Sequence, residues 1–103
     1  MAKRRIMVID DQPEILELIS FTLEKEGYEV IPVEDAEKAL EELKDRDVDM
    51  FLVDIMLPGM DGFDFVRNIR SQEKYKLTPV IFLSAKGEEF DKVLGLSLIH
   101  ISE

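Results

Sequence analysis

Three short apolar runs in this chain stop at polar residues: RIMVID (5–10), MFLVD (50–54) and PVIFLSA (79–85). Each is too brief for a helix. Each is also rich in branched residues and lacks the polar alternation of a strand with one wet face, so all three read as strands buried on both faces. YEVIPV (28–33) reads as a further strand between the first two. The intervening segments carry apolar residues at helical spacing. Helix one runs from Pro13 to about Glu26, with Ile15, Leu16, Leu18, Ile19 and Leu23 on its apolar face, Pro13 in the first turn and Gly27 at the C-terminal cap. Ala36, Ala39, Leu40 and Leu43 form a second stripe behind the N-cap residue Asp35. Phe63, Val66 and Ile69 give a third helix after the Pro58 and Gly59 turn, and a fourth is expected from near Glu88.

Strands alternating with helices through short turns imply a parallel sheet covered on both faces, and right-handed crossovers make it doubly wound. There is no repeat, low-complexity segment or linker, so one domain is expected. With 13 Lys and Arg against 23 Asp and Glu, the net charge is −10, which argues against phosphate-backbone binding and makes nucleic acid an unexpected direct partner. Lys3, Arg4 and Arg5 read as a solvated start rather than a localisation signal. The absence of cysteine excludes disulfides and thiol chemistry. No apolar run approaches the roughly 18 residues of a membrane span, and no signal peptide is evident, so a cytoplasmic protein is expected.

In sheets of this kind ligands bind beyond the carboxyl ends of the strands. Asp10 and Asp11 follow strand one, Asp54 ends strand three and Ser84 lies near the end of strand four. Asp54 stands too far before the next helical pattern to cap it, so a chemical role is the better reading. Three carboxylates within about 5 Å of one another repel by roughly 3 kcal/mol per pair at an effective dielectric near 20, and that demands a cation. Oxygen ligands with no His or Cys nearby point to Mg²⁺, completed by a phosphate. Asp54 is then the nucleophile toward a phosphoryl group, and Ser84 a hydrogen-bond donor to it. Singly, each feature has a plainer alternative: Asp11 as a cap of helix one, Asp61 as a cap of helix three, Ser84 satisfying nearby backbone. For Asp61 the structural role is preferred. Lys86 and His100 read as solvated and incidental.

VIDDQPEI, LVDIMLPGMDG and PVIFLSAK together resemble the receiver domain of two-component response regulators, over about residues 5–96. The resemblance implies a flavodoxin-like sheet of strand order 2-1-3-4, with Asp54 as phosphoacceptor and Asp10 and Asp11 as the acidic pair that binds Mg²⁺. It further implies Met56 as a ligand through its backbone carbonyl and Ser84 as the hydroxyl that senses the phosphoryl group. Small Ala85 leaves the site accessible. A histidine kinase or phosphotransfer protein is the implied donor, and an output domain or partner protein the implied receiver of the signal. The chain is expected to be no enzyme in the ordinary sense but a phosphoacceptor that takes part in its own phosphorylation and dephosphorylation.

The pattern departs from the family at the end. A fifth strand ending in Lys-Pro, a switch aromatic and a fifth helix are expected, whereas SLIHISE (97–103) supplies none of these. Residues 1–96 therefore read as an incomplete receiver and 97–103 as an atypical tail, with the fifth strand missing or degraded. Phe90, Val93, Leu94, Leu98 and Ile101 favour helix four simply running on, over a short strand within 97–102. With either tail, and without the Lys-Pro, switch aromatic and fifth helix, strand four is expected to become an open edge, Ile6 or Val8 to lose cover, and phosphorylation of this 103-residue form to be uncoupled from switching. The alternative function is a non-switching, pseudo-receiver interaction module. A nucleotide or flavin binder lacks any GxGxxG or GxxxxGK[ST] loop, and an aspartyl-phosphate phosphatase lacks its Asp-x-Asp pair.

Overall fold

The computed structural model describes residues 3–83 and, of residues 100–102, the backbone. Its elements are β1 (Arg5–Ile9), α1 (Pro13–Lys25), β2 (Glu29–Val33), α2 (Ala36–Glu42), β3 (Met50–Asp54), α3 (Gly62–Arg70), a single 3₁₀ turn (Glu73–Tyr75), β4 (Val80–Leu83) and β5 (His100–Ser102). The sheet order is β2-β1-β3-β4-β5, with the first four strands parallel. This is the doubly wound, flavodoxin-like arrangement expected.

Period-two alternation sorts the strands between two cores. Met7, Ile9, Ile31, Val33, Phe51, Val53, Val80 and Phe82 face α2, α3 and the 3₁₀ turn. Ile6, Val8, Leu52, Ile81 and Leu83 lie on the other face, in one cluster with Leu16, Ile19 and Leu23 of α1. Both faces are thus dry, which is why no strand alternates polar with apolar. On the first face Phe51 is the anchor. The rings of Phe65 and Tyr75 meet it edge-on at 5.6 and 5.3 Å, each pair adding about 0.5–1.5 kcal/mol beyond burial.

The helix ends are set locally. Pro13 opens α1 behind Gln12, and Gly27, at φ +98°, closes it while the Tyr28 N–H bonds to the Leu23 carbonyl. Asp35 and Asp61 cap α2 and α3, accepting from the N–H groups of Lys38 at 2.7 Å and Asp64 at 2.8 Å. Asp11 caps nothing: the N-cap of α1 is Gln12.

Three expectations are corrected. Residues 100–102 are a strand, not the continuation of a helix, and they pair antiparallel with β4, matching Val80 to Ser102 and Phe82 to His100. The free hydrogen-bonding edge of β4 is satisfied by that partner, so β4 is not an open edge. Ile6 and Val8 keep their cover, at 3% and 0% exposure. The expected start of a helix near Glu88 falls outside the described residues.

Candidate functional site

Parallel pairing brings the acids together. Ile9 stands opposite Val53 across β1 and β3, so the next residues in each strand direction, Asp10 and Asp54, emerge side by side at the carboxyl edge of the sheet. Asp11 follows on the loop into α1. One carboxylate oxygen from each of the three lies within 4.8 Å of the others. Asp10 and Asp54 are 5% and 6% exposed, and they are the only buried charged side chains among the described residues; Asp11 is exposed.

Each buried aspartate is held by the same local device. Asp10 Oδ1 accepts the N–H of Gln12 at 2.9 Å, and Asp54 Oδ1 accepts the N–H of Met56 at 3.1 Å. In both cases the side chain bonds the backbone two residues on, which aims it across the strand ends rather than into solvent. The loop after β3 is shaped by glycines at two points. Gly59 adopts φ +73°, a conformation that disfavours any side chain. Gly62 opens α3 so close to β3 that a Cβ there would lie 2.3 Å from the backbone oxygen of Asp54, while its N–H bonds the Ile55 carbonyl at 3.0 Å. Beside Asp11 an open cavity of about 550 Å³ runs along this loop, bordered by Met56, Gly59, Asp61 and Phe63.

The donor set suits a hard divalent cation. Two unit charges 4.8 Å apart at an effective dielectric near 20 repel by about 3.5 kcal/mol, a term that a bound cation reverses. Octahedral Mg²⁺ with bonds of about 2.1 Å spaces its oxygens roughly 3 to 4.2 Å apart. The trio, with its oxygens within 4.8 Å of one another, therefore needs at most a small side-chain rotation, or one bridging water, to meet that spacing. Asp10, Asp11 and Asp54 come together as expected, and Met56, two residues on from Asp54, is 55% exposed. Ser84, Ala85 and Lys86 lie outside the described residues.

Two contributions escape the sequence reading. Gly62 is given no role there, although its place directly after a helix cap, where almost any other residue is a better helix former, is the available signal. Arg70 donates from one guanidinium nitrogen to the carbonyls of Tyr75, Lys76 and Thr78 at 2.9, 3.1 and 2.7 Å, tying down the segment that leads into β4. An arginine in the last turn of a helix gives no hint of that.

A buried acidic pair on adjacent parallel strands, at the carboxyl edge of a 2-1-3-4 sheet, defines a receiver. The chain belongs to the response regulator receiver domain family, whose model matches residues 6–98. Over 95 residues it is 41% identical to the alkaline phosphatase synthesis transcriptional regulatory protein PhoP of Bacillus subtilis (strain 168), a match covering 92% of this chain and 39% of that protein. It is 43% identical to the response regulator GtcR of Aneurinibacillus migulanus, over 92% of this chain and 38% of that protein. The chain thus spans about two fifths of the length of these relatives. Among solved structures it resembles the chemotaxis response regulator CheY4 of Vibrio cholerae, with a TM-score of 0.79 and 31% identity over 89% of this chain and 81% of that one. It also resembles the response regulator TrrA of Thermotoga maritima, solved in complex with Mg²⁺-BeF, with a TM-score of 0.74 and 35% identity over 82% and 72% of the two chains. Among the described residues no helix is long and apolar enough to cross a membrane.

Proposed function

We propose that Asp54 accepts a phosphoryl group from a histidine kinase or phosphotransfer protein in a Mg²⁺-dependent reaction, and that the phosphorylated form switches a signalling output. The observation that carries this reading is the trio of carboxylates within 4.8 Å, two of them buried, at the ends of β1 and β3. A carboxylate oxygen of Asp54 attacks phosphorus in line with the donor. The new P–O bond forms as the P–N bond of phosphohistidine breaks, and the imidazole nitrogen leaves with the electron pair. Asp10 and Asp11, with Asp54 and the backbone carbonyl of Met56, are the residues that would hold Mg²⁺. When bound, the cation neutralises charge on the phosphoryl oxygens.

The backbone N–H groups of Gln12 and Met56 keep Asp10 and Asp54 oriented, so little reorganisation is needed when the donor arrives. Ser84 donates a hydrogen bond to a phosphoryl oxygen. Water attack on phosphorus breaks the acyl P–O bond, releasing inorganic phosphate and restoring the Asp54 carboxylate, so the chain is a phosphoacceptor in its own reactions and not an enzyme acting on a separate substrate. The added charge of about −1.5 to −2 biases a conformational equilibrium read by an output domain or partner protein. The domain works in the cytoplasm and does not itself bind nucleic acid.

The test is exposure of the chain to acetyl phosphate with and without Mg²⁺, followed by intact mass and peptide mapping. Mg²⁺-dependent addition of one phosphoryl group at Asp54 is expected. Uptake that ignores Mg²⁺, or maps to another acid, overturns the reading.

A further inference from the structure

We propose that the Asp61–Gly62 step is a latent isomerisation site, kept unreactive by the cap of α3, and that its conversion to isoaspartate disables the Asp54 site. It is the only Asp-Gly or Asn-Gly step in the chain. Such a step is prone to ring closure because glycine has no side chain to hinder its nitrogen. The Gly62 nitrogen attacks the Asp61 side-chain carbon Cγ, the N–H proton and the carboxyl hydroxyl leave together as water, and a five-membered succinimide forms. Water then adds to one of the two ring carbonyls and breaks its bond to nitrogen. Opening at the main-chain carbonyl leaves the backbone running through Cγ, one methylene longer, whereas opening at Cγ restores Asp61. Water is the sole co-reactant, and nothing is oxidised or reduced.

The packing of α3 on β3 both creates this hazard and restrains it. A Cβ on residue 62 would lie 2.3 Å from the Asp54 backbone oxygen, so no residue with a side chain fits there without moving backbone. Asp61 is half-exposed, within reach of water. Both reacting groups are tied down, however. The Gly62 N–H, whose proton has to leave, belongs to a buried residue and is donated to the Ile55 carbonyl at 3.0 Å. Asp61 Oδ1 accepts the Asp64 N–H at 2.8 Å, which holds the carboxyl toward the first turn of α3. Ring closure therefore waits for a local opening that breaks both bonds, and the two together should slow it by about tenfold or more. Isomerisation would remove the cap and lengthen the backbone beside Gly62 by about 1.5 Å. Gly62 could then no longer keep its place against Asp54. The loss of function rests on the phosphoacceptor reading of Asp54; the chemistry of residues 61 and 62 does not.

The test incubates the whole chain, folded and in urea, in mildly acidic buffer. A protease that cuts before aspartate but not before isoaspartate then measures the uncut Met60–Asp61 bond. Isomerisation about tenfold slower in the folded chain than in the unfolded one is expected, and equal rates overturn the proposal. Asp64→Pro removes the capping N–H at a helix position that tolerates proline, and should raise the folded rate about five- to tenfold. Asp64→Ala keeps that N–H, loses the side chain that pairs with Arg67, and should match the parent. A proline variant no faster than the alanine variant overturns the proposal. Should Asp64→Pro lower the melting temperature, the parent in graded urea below its unfolding transition decides. There the rate should rise in step with exchange of the Gly62 and Asp64 amides, and a rate indifferent to that exchange overturns the proposal. The isomerised fraction should take up phosphoryl from acetyl phosphate about 100-fold more slowly than the intact fraction, and equal uptake overturns the claimed effect on Asp54. If neither fraction is phosphorylated, the phosphoacceptor reading fails, while the isomerisation rates still decide whether the cap restrains Asp61.

Discussion

Replacing Gly62 with alanine adds one methyl group where α3 meets the end of β3. The new Cβ would stand 2.3 Å from the Asp54 backbone oxygen, 3.0 Å from Ile55 Cα and 3.1 Å from the Asp54 carbonyl carbon. All three neighbours are backbone, so no side chain can swing aside, and α3 or the β3 end has to move by about 1 Å to restore ordinary contact. Overpacking of this kind costs about 1–3 kcal/mol. Stretching the 3.0 Å bond from the Gly62 N–H to the Ile55 carbonyl adds up to about 1 kcal/mol more. Against this, alanine gains at most about 1 kcal/mol in helix propensity. The clash wins, for a net loss of about 1–3 kcal/mol, or a fall in melting temperature of roughly 5–20 °C. Because the displaced atoms carry the Asp54 side chain, a shift near 1 Å should also slow phosphoryl uptake from acetyl phosphate by about 100-fold. Gly27→Ala is the control. Nothing lies within 4 Å of its added Cβ, so only its φ of +98° is strained; it should cost about 1–2 kcal/mol and leave uptake unchanged. Thermal melts and uptake rates measured on both variants decide the matter. A Gly62→Ala chain as stable and as reactive as the parent refutes the close-approach argument.

Asp54→Asn should abolish phosphoryl uptake while the fold stays as stable or becomes firmer, since it removes one charge from a repulsive trio and keeps the side-chain shape; mass spectrometry and melting check the two halves. Arg70→Met keeps the apolar stem but loses the bonds to three carbonyls, and a loss of about 1.5–3 kcal/mol is expected in urea denaturation, at the lower end because the site is part-exposed. Faster amide exchange should appear around residues 75–78. Burial pushes the Tyr75 phenol above its usual value of 10. The folded form therefore holds that proton more tightly than the unfolded one, so this part of the stability is fully present below about pH 10 and is lost as pH rises through the folded value. Denaturation series at about pH 9 and 11 should show Tyr75→Phe losing less stability over that interval than the parent.

Element types and most boundaries were legible because they depend on local chemistry. Runs of branched apolar residues can be buried only as strands between two layers, and Pro13, Asp35 and Gly27 mark helix ends through backbone groups within a few residues of themselves. Asp61 is the same kind of signal, and the structural role preferred for it is the one observed. The acids at residues 10, 11 and 54 were legible for a related reason: a charge placed where a buried strand stops is costly unless something there uses it. The tail read wrongly because Leu98 and Ile101 fit a helical stripe and a short strand equally well. The pairing of residues 100–102 with β4 is non-local, satisfying the edge of a strand nearly twenty residues earlier in the chain.

What the sequence by itself determined is a parallel, doubly wound sheet with carboxylates at the ends of β1 and β3, since period, caps and charge placement are written residue by residue. The tertiary structure decided the rest. The β1–β3 register puts Asp10 beside Asp54, the Gly62 approach holds α3 against Asp54, and Arg70 reaches the carbonyls before β4. Each depends on distances between segments far apart along the chain, and such distances are set by how the two cores pack on either side of the sheet.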